Sequence, residues 1–142
     1  MISFQTDELE IGEFWHNEEP AWRGRGGFPL VGVPGTESMG LVYFEIEPGN
    51  SLGMHTDSQD ELIVVLSGSA LATIGDETGE LRAGAIAFIP AMVTHGFKNT
   101  GSVTLRCAGI FPDSDVVSTF KYELQPFGTR VLSFRGLVPA EV

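Results

Sequence analysis

The chain has 142 residues, with 8 Lys and Arg against 19 Asp and Glu, a net charge of -11. That balance excludes a nucleic-acid groove, which needs clustered cations to neutralise phosphates, and disfavours an anionic membrane surface. No apolar run is long enough to span a bilayer and the first residues carry no basic leader, so a soluble, cytoplasmic protein is expected.

No repeat, low-complexity tract or linker divides the chain, so one domain is expected over residues 1–142. The 18 glycines and 8 prolines suit short strands joined by tight turns. Residues 1–37 read as irregular, with Trp15, Trp22 and the loop-like Arg23-Gly-Arg-Gly-Gly27, and with a short strand over Phe28 to Val33. From Leu41 to Glu47, Val42, Phe44 and Ile46 alternate with Tyr43, Glu45 and Glu47, the period of a strand. Pro48 to Ser51 is a turn. Glu61 to Ser67 is rich in β-branched residues and reads as a strand covered on both faces, broken by Gly68 and continued by Ala70 to Ile74. Gly75 to Gly79 reads as a turn, and Ala85 to Ile89, Thr94 to Lys98 and Val103 to Phe111 as strands. Pro112-Asp-Ser-Asp115 has the composition of a helix N-cap, which predicts one helical turn over Val116 to Phe120. Val131 to Phe134 closes the chain as a strand. Seven or eight short strands with turns between them predict an antiparallel sandwich or barrel. The single cysteine, Cys107, sits in an apolar stretch and is expected to be a buried structural thiol.

Three histidines exist, His16, His55 and His95. His55-Thr-Asp57 places an imidazole and a carboxylate two residues apart, so on a strand both point the same way. Glu61 follows four residues later, and a turn through Ser58 to Asp60 is expected to bring it back beside the pair. His95 supplies a fourth donor from a later strand. Imidazoles with carboxylates suit one divalent ion among Fe, Mn, Ni, Co and Zn. His16 reads as structural.

The frame around these residues is specific. The first run is Gly49-X5-His55-X-Asp57-X3-Glu61-X6-Gly68, and the second is Gly84-X5-Pro90-X-Met92-X2-His95-X3-Asn99. Together they resemble the two motifs of the cupin superfamily, over residues 49–99. Two positions depart from the family pattern: Asp57 stands where a second histidine is usual, and Met92 where a glycine is usual. The first change converts a three-His, one-Glu set into two imidazoles and two carboxylates, a harder set that favours Fe, Mn or Ni while leaving Zn and Co open.

The resemblance implies an all-β, antiparallel jelly-roll barrel, with an N-terminal arm (1–37), a barrel (38–112) and a C-terminal segment (113–142). It implies metal ligation by His55, Asp57, Glu61 and His95, a small-molecule substrate, and a homodimer in which the arm covers the partner's edge strand. Trp15 and Trp22 would then be interface anchors or lid residues. Two imidazoles and one carboxylate imitate the facial triad of non-haem iron oxygenases, leaving Asp57 or Glu61 as a labile ligand or general base. The leading expectation is a dioxygenase similar to the small quercetinase-like cupins. A binding or sensing cupin without turnover is the alternative from another class, and an isomerase or decarboxylase is a further one. A 2-oxoglutarate-dependent oxygenase would use Arg106 to bind the cosubstrate carboxylate. Arg106, Tyr43 and Phe97 are candidate substrate contacts, and Phe88 a candidate barrel-lining residue.

Overall fold

A computed structural model describes residues 1–137, in which twelve strands form two six-stranded antiparallel sheets. In chain order the strands are β1 (Gly12–Trp15), β2 (Arg23–Gly27), β3 (Gly40–Ile46), β4 (Ser51–Asp57), β5 (Glu61–Ser67), β6 (Ser69–Ile74), β7 (Glu77–Arg82), β8 (Ile86–Ile89), β9 (His95–Lys98), β10 (Leu105–Phe111), β11 (Val117–Leu124) and β12 (Thr129–Ser133). One sheet runs β1-β2-β3-β10-β5-β8 and the other β12-β11-β4-β9-β6-β7. Consecutive strands repeatedly change sheets, as in a jelly roll. The inward residues of the two layers meet in a core that includes Phe44, Ile46, Ile63, Val65, Ala72 and Leu105. Cys107 lies in it, fully buried, as expected.

Four local expectations are corrected. The arm is not irregular: β1 and β2 form a hairpin, and β2 pairs with the chain's own β3 through Arg25↔Glu45 and Gly27↔Tyr43. Within the chain this hairpin extends the sheet beyond β3 and makes β1 its edge strand. Phe28 to Val33 is a series of turns, with hydrogen bonds from Val31 N–H to Phe28 O (3.2 Å) and Val33 N–H to Leu30 O (3.1 Å). Pro29 removes a ladder donor there, and Pro34 follows. Glu77–Arg82 is a strand rather than the end of a turn, because the hairpin closes on Gly75 and Asp76 alone. Val116 to Phe120 is not helical: from Val117 onward it belongs to β11, whose Ser118 and Phe120 pair with Asp57 and His55. Capping chemistry is also turn chemistry, and Asp113 Oδ1 here accepts from Asp115 N–H in a bend (2.8 Å).

β5 is covered on one face only. Leu62 and Leu66 are each 42% exposed, and Phe88, opposite Leu62 on β8, is 57% exposed. Phe88 is therefore an outer-face residue and does not line the barrel.

Asn99 explains its place in the second motif without any chemistry. It is fully buried, and its Nδ2 donates to Ile46 O and to Val103 O, each at 2.8 Å. Its Oδ1 accepts from Gly101 N–H at 2.9 Å. One amide thus ties the ends of β3, β9 and the loop before β10. Asn99→Leu leaves buried carbonyls without donors and is expected to lower unfolding free energy by about 2–4 kcal/mol in urea titration.

Met92 has φ 65°, a left-handed conformation that its side chain resists, while its N–H donates to Asp57 O at 2.8 Å. The side chain is exposed and contributes little packing. Met92→Gly is expected to raise stability by about 0.5–1 kcal/mol by the same titration.

Candidate metal centre

Strand register builds the centre. His55 on β4 and His95 on β9 are direct partners across an antiparallel ladder, so their side chains emerge side by side. Asp57, two residues along β4, points to the same inner face. Glu61 arrives differently from expectation: it opens β5 in the opposite sheet and reaches the cluster across the barrel interior. All four residues are buried.

The distances are those of a ligand shell. His95 Nε2 lies 3.1 Å from Asp57 Oδ2 and 3.3 Å from Glu61 Oε1, and His55 Nε2 lies 3.7 Å from Asp57 Oδ2. Donor atoms of His55, Asp57 and His95 all fall within 4.8 Å of one another. Bonds of about 2.1 Å at right angles place neighbouring ligand atoms roughly 3 Å apart. Both imidazoles are oriented from behind. His55 Nδ1 donates to Gly53 O (2.8 Å) and His95 Nδ1 to Val93 O (2.9 Å), since a carbonyl can only accept. In the neutral ring each Nε2 then carries the free lone pair, the usual arrangement behind a ligating histidine. His95 Nε2 is also buried without an aligned hydrogen bond, despite the two carboxylates it faces. The donor set therefore fits a divalent cation.

The matched family model is the cupin domain, over residues 42–111. An uncharacterised protein of Streptomyces coelicolor is 31% identical over 111 residues, 78% of this chain and 95% of that one. The chain belongs to the cupin superfamily. Among solved structures, a provisional sugar phosphate isomerase of Acidithiobacillus ferrooxidans matches with TM-score 0.64 and 22% identity over 79% of this chain and 74% of its own. A provisional oxalate decarboxylase of Thermotoga maritima matches with TM-score 0.65 and 17% identity over 78% of this chain and 99% of its own. These likenesses concern the jelly-roll fold.

Two supports in this cupin escaped the sequence reading. Ser118 Oγ donates to Asp57 Oδ1 at 2.5 Å, and it lay in the segment read as a helical turn. Gly109 on β10 sits directly under Glu61, where an added Cβ would collide with Oε2. A glycine inside an otherwise apolar strand signals such a close approach. A buried outer layer backs His55: Trp22 packs on Gly53, the residue whose carbonyl accepts from the His55 ring, and against His16 with ring centroids 4.0 Å apart. Trp22 is thus buried within the chain rather than exposed as an interface anchor or lid, and His16 packs between Trp22 and Phe120. Trp15 bridges to Gln125 and joins the arm to the loop after β11.

The remaining candidates separate by strand parity. Phe97 borders the barrel cavity. Tyr43 and Arg106 do not: they face outward, where Arg106 Nε donates to the Tyr43 hydroxyl and Nη2 to Thr6 Oγ1, each at 2.7 Å. Neither can touch a substrate inside the barrel. The Tyr43 hydroxyl in turn donates to Glu45 Oε2 at 2.7 Å, so this outer network is self-contained.

Electrostatics separate the two carboxylates. Burial raises the Asp57 carboxyl, but His95, His55 and Ser118 outweigh it and hold Asp57 below its ordinary value. Burial dominates at Glu61 and raises it to about 7 against the pull of His95. Burial lowers His55 to about 4. It also disfavours charged His95, yet Asp57 and Glu61 facing that ring raise it to about 10.

Metal uptake by the metal-free protein must then displace protons from His95 and Glu61. Affinity, measured by competition with a chromophoric chelator, is expected to rise as pH rises through about 7, where Glu61 deprotonates. Gly109→Ala is expected to displace Glu61 and weaken metal binding by about 10–100-fold, the range for lost positioning contacts. The same competition assay reads it, with circular dichroism confirming the fold.

Proposed function

We propose that the barrel is the active site of a metal-dependent enzyme that acts on a small organic molecule, a dioxygenase being the reading the site supports best. The observation that carries this is the placement of His55, Asp57 and Glu61 on the border of a cavity of about 380 Å³, with the buried His95 beside Asp57 and Glu61. Fe, Mn or Ni fits the donors best, with Zn or Co accommodated. Bound there, such an ion would supply open coordination positions for O2 or substrate.

The chain's own residues divide the remaining work. Asp57, fixed by Ser118 and kept ionised, is the constant ligand. Glu61, with its carboxyl raised to about 7, is poised to take or return a proton near neutral pH. The apolar walls exclude water around both. The 2-oxoglutarate alternative loses support because Arg106 lies outside the cavity. The neighbours' isomerase and decarboxylase descriptions keep those chemistries as lesser alternatives.

A binding or sensing role without turnover is the second reading. It is favoured by the charge pairing open to a protonated His95, whose Nε2 lies 3.1 Å from Asp57 Oδ2 and 3.3 Å from Glu61 Oε1. Oxygen uptake by the metal-loaded protein, screened with small phenols and keto acids, separates the two. Uptake that disappears in His55→Ala and falls by about 10²–10⁴ in Glu61→Gln supports the enzyme. Ligand binding with no uptake and no product contradicts it.

We also infer a homodimer and a cytoplasmic location. The buried lone thiol suits a reducing compartment. The outer face of β5 and β8, with Leu62, Leu66, Ile86 and Phe88 exposed, supports self-association better than the arm does. Phe88→Glu is expected to convert a dimer to a monomer in sedimentation velocity. A dimer that survives this change places the interface elsewhere.

A further inference from the structure

The cavity beside the four polar ligands is unusually uniform in its chemistry. Eight of the chain's ten phenylalanines border it. Its polar border consists of the ligand residues His55, Asp57 and Glu61, with Ser118 beside them and Glu13 in an exposed position. Among the described residues, no lysine or arginine borders it. An apolar cavity of roughly 150 Å³ suffices for benzene, so one of about 380 Å³ has room for about two rings.

Charge reinforces shape. Two carboxylates and two neutral imidazoles neutralise a divalent ion completely, so the loaded centre offers an anion no net attraction. With a histidine in place of Asp57, the same ion would retain one positive charge. A carboxylate or phosphate entering this cavity would shed its hydration for phenyl rings and find no cation to replace it. The protein's net charge of -11 opposes its approach as well. The cluster is instead rich in acceptors: Asp57 and Glu61 present carboxylate oxygens that a ligand hydroxyl can satisfy.

We propose that the cavity selects an uncharged, mainly aromatic molecule that presents a hydroxyl donor to Asp57 and Glu61, a two-ring phenol being the fitting class, and rejects carboxylates of the same size. This rests on the barrel cavity being the substrate site, as proposed above, and it narrows that site to one ligand chemistry.

A matched pair tests it. Without oxygen, 2-naphthol and 2-naphthoate are titrated into the protein, both as purified and loaded with zinc, and binding is followed by fluorescence. Naphthol is expected to bind at least about tenfold more tightly than naphthoate. Asp57→His, which adds a positive charge to the loaded centre, is expected to shift the preference about tenfold towards naphthoate. Val42→Trp fills the cavity and is expected to abolish naphthol binding; Leu132→Trp serves the same purpose should the first variant fail to fold. Naphthoate binding as tightly as naphthol, neither ligand binding, or naphthol binding unchanged in a folded, filled variant would each overturn the proposal. Its failure is distinct from failure of the enzyme reading. Naphthol binding without metal or oxygen uptake leaves the ligand class standing and removes the dioxygenase. Uptake driven by a keto acid, with naphthoate preferred, does the reverse.

Discussion

Two carboxylates and two imidazoles are buried together inside an apolar barrel, and the rest of the structure is arranged around making that tolerable. Ionised groups taken out of water cost several kcal/mol each unless paired and hydrogen-bonded. Here His95 stands between Asp57 and Glu61, Ser118 donates to Asp57, and both imidazoles donate to backbone carbonyls. Well-packed hydrophobic residues of the same volume would stabilise such a core at least as well. Stability alone therefore gives no reason for the cluster, whereas the divalent ion proposed for it does.

The fold meets the geometric demand through register alone. One antiparallel pairing, His55 against His95, aligns the imidazoles, and one two-residue step along β4 adds Asp57. The facing sheet contributes Glu61, so the cluster also pins the two layers together. Supporting positions then divide cleanly from chemical ones. Asn99 ties strand ends, Gly109 leaves room for a carboxylate, and Met92 tolerates a backbone conformation better suited to glycine because its N–H serves Asp57 O. The same arrangement leaves the cavity wall almost wholly aromatic and aliphatic, with its buried polar side chains gathered around His55, Asp57, Glu61 and Ser118.

Much of this was legible in the sequence. The spacing of His55, Asp57, Glu61 and His95 within glycines and a proline pointed to the superfamily, and alternation in β3 set Val42, Phe44 and Ile46 on one face, which the fold turns inward. That same alternation turns Tyr43 outward, and the pairing of Arg106 with Glu45 puts Arg106 on the same side. A pairing partner is a property of the folded sheet, so the position of Arg106 could not be read from its own strand. β2 was hidden because Arg23 to Gly27 has too few side chains to show a period, and β1 because its four residues are too few to show one. β7 was hidden because Glu77, Thr78 and Glu80 lie on an exposed edge strand with no apolar alternation. β11 was hidden by Pro112 to Asp115, whose capping residues serve a bend equally well. Ser118 was lost with it, since nothing marks a serine as the partner of a carboxylate sixty-one residues away.

The whole arrangement turns on whether the four buried side chains hold one divalent ion. Elemental analysis of protein purified without chelators or a metal-binding tag tests it most directly. Close to one equivalent of Fe, Mn or Ni per chain is expected. A protein that contains no metal as purified and takes up none on reconstitution would contradict it, and would mean that Asp57 and Glu61 serve only to pair with His95.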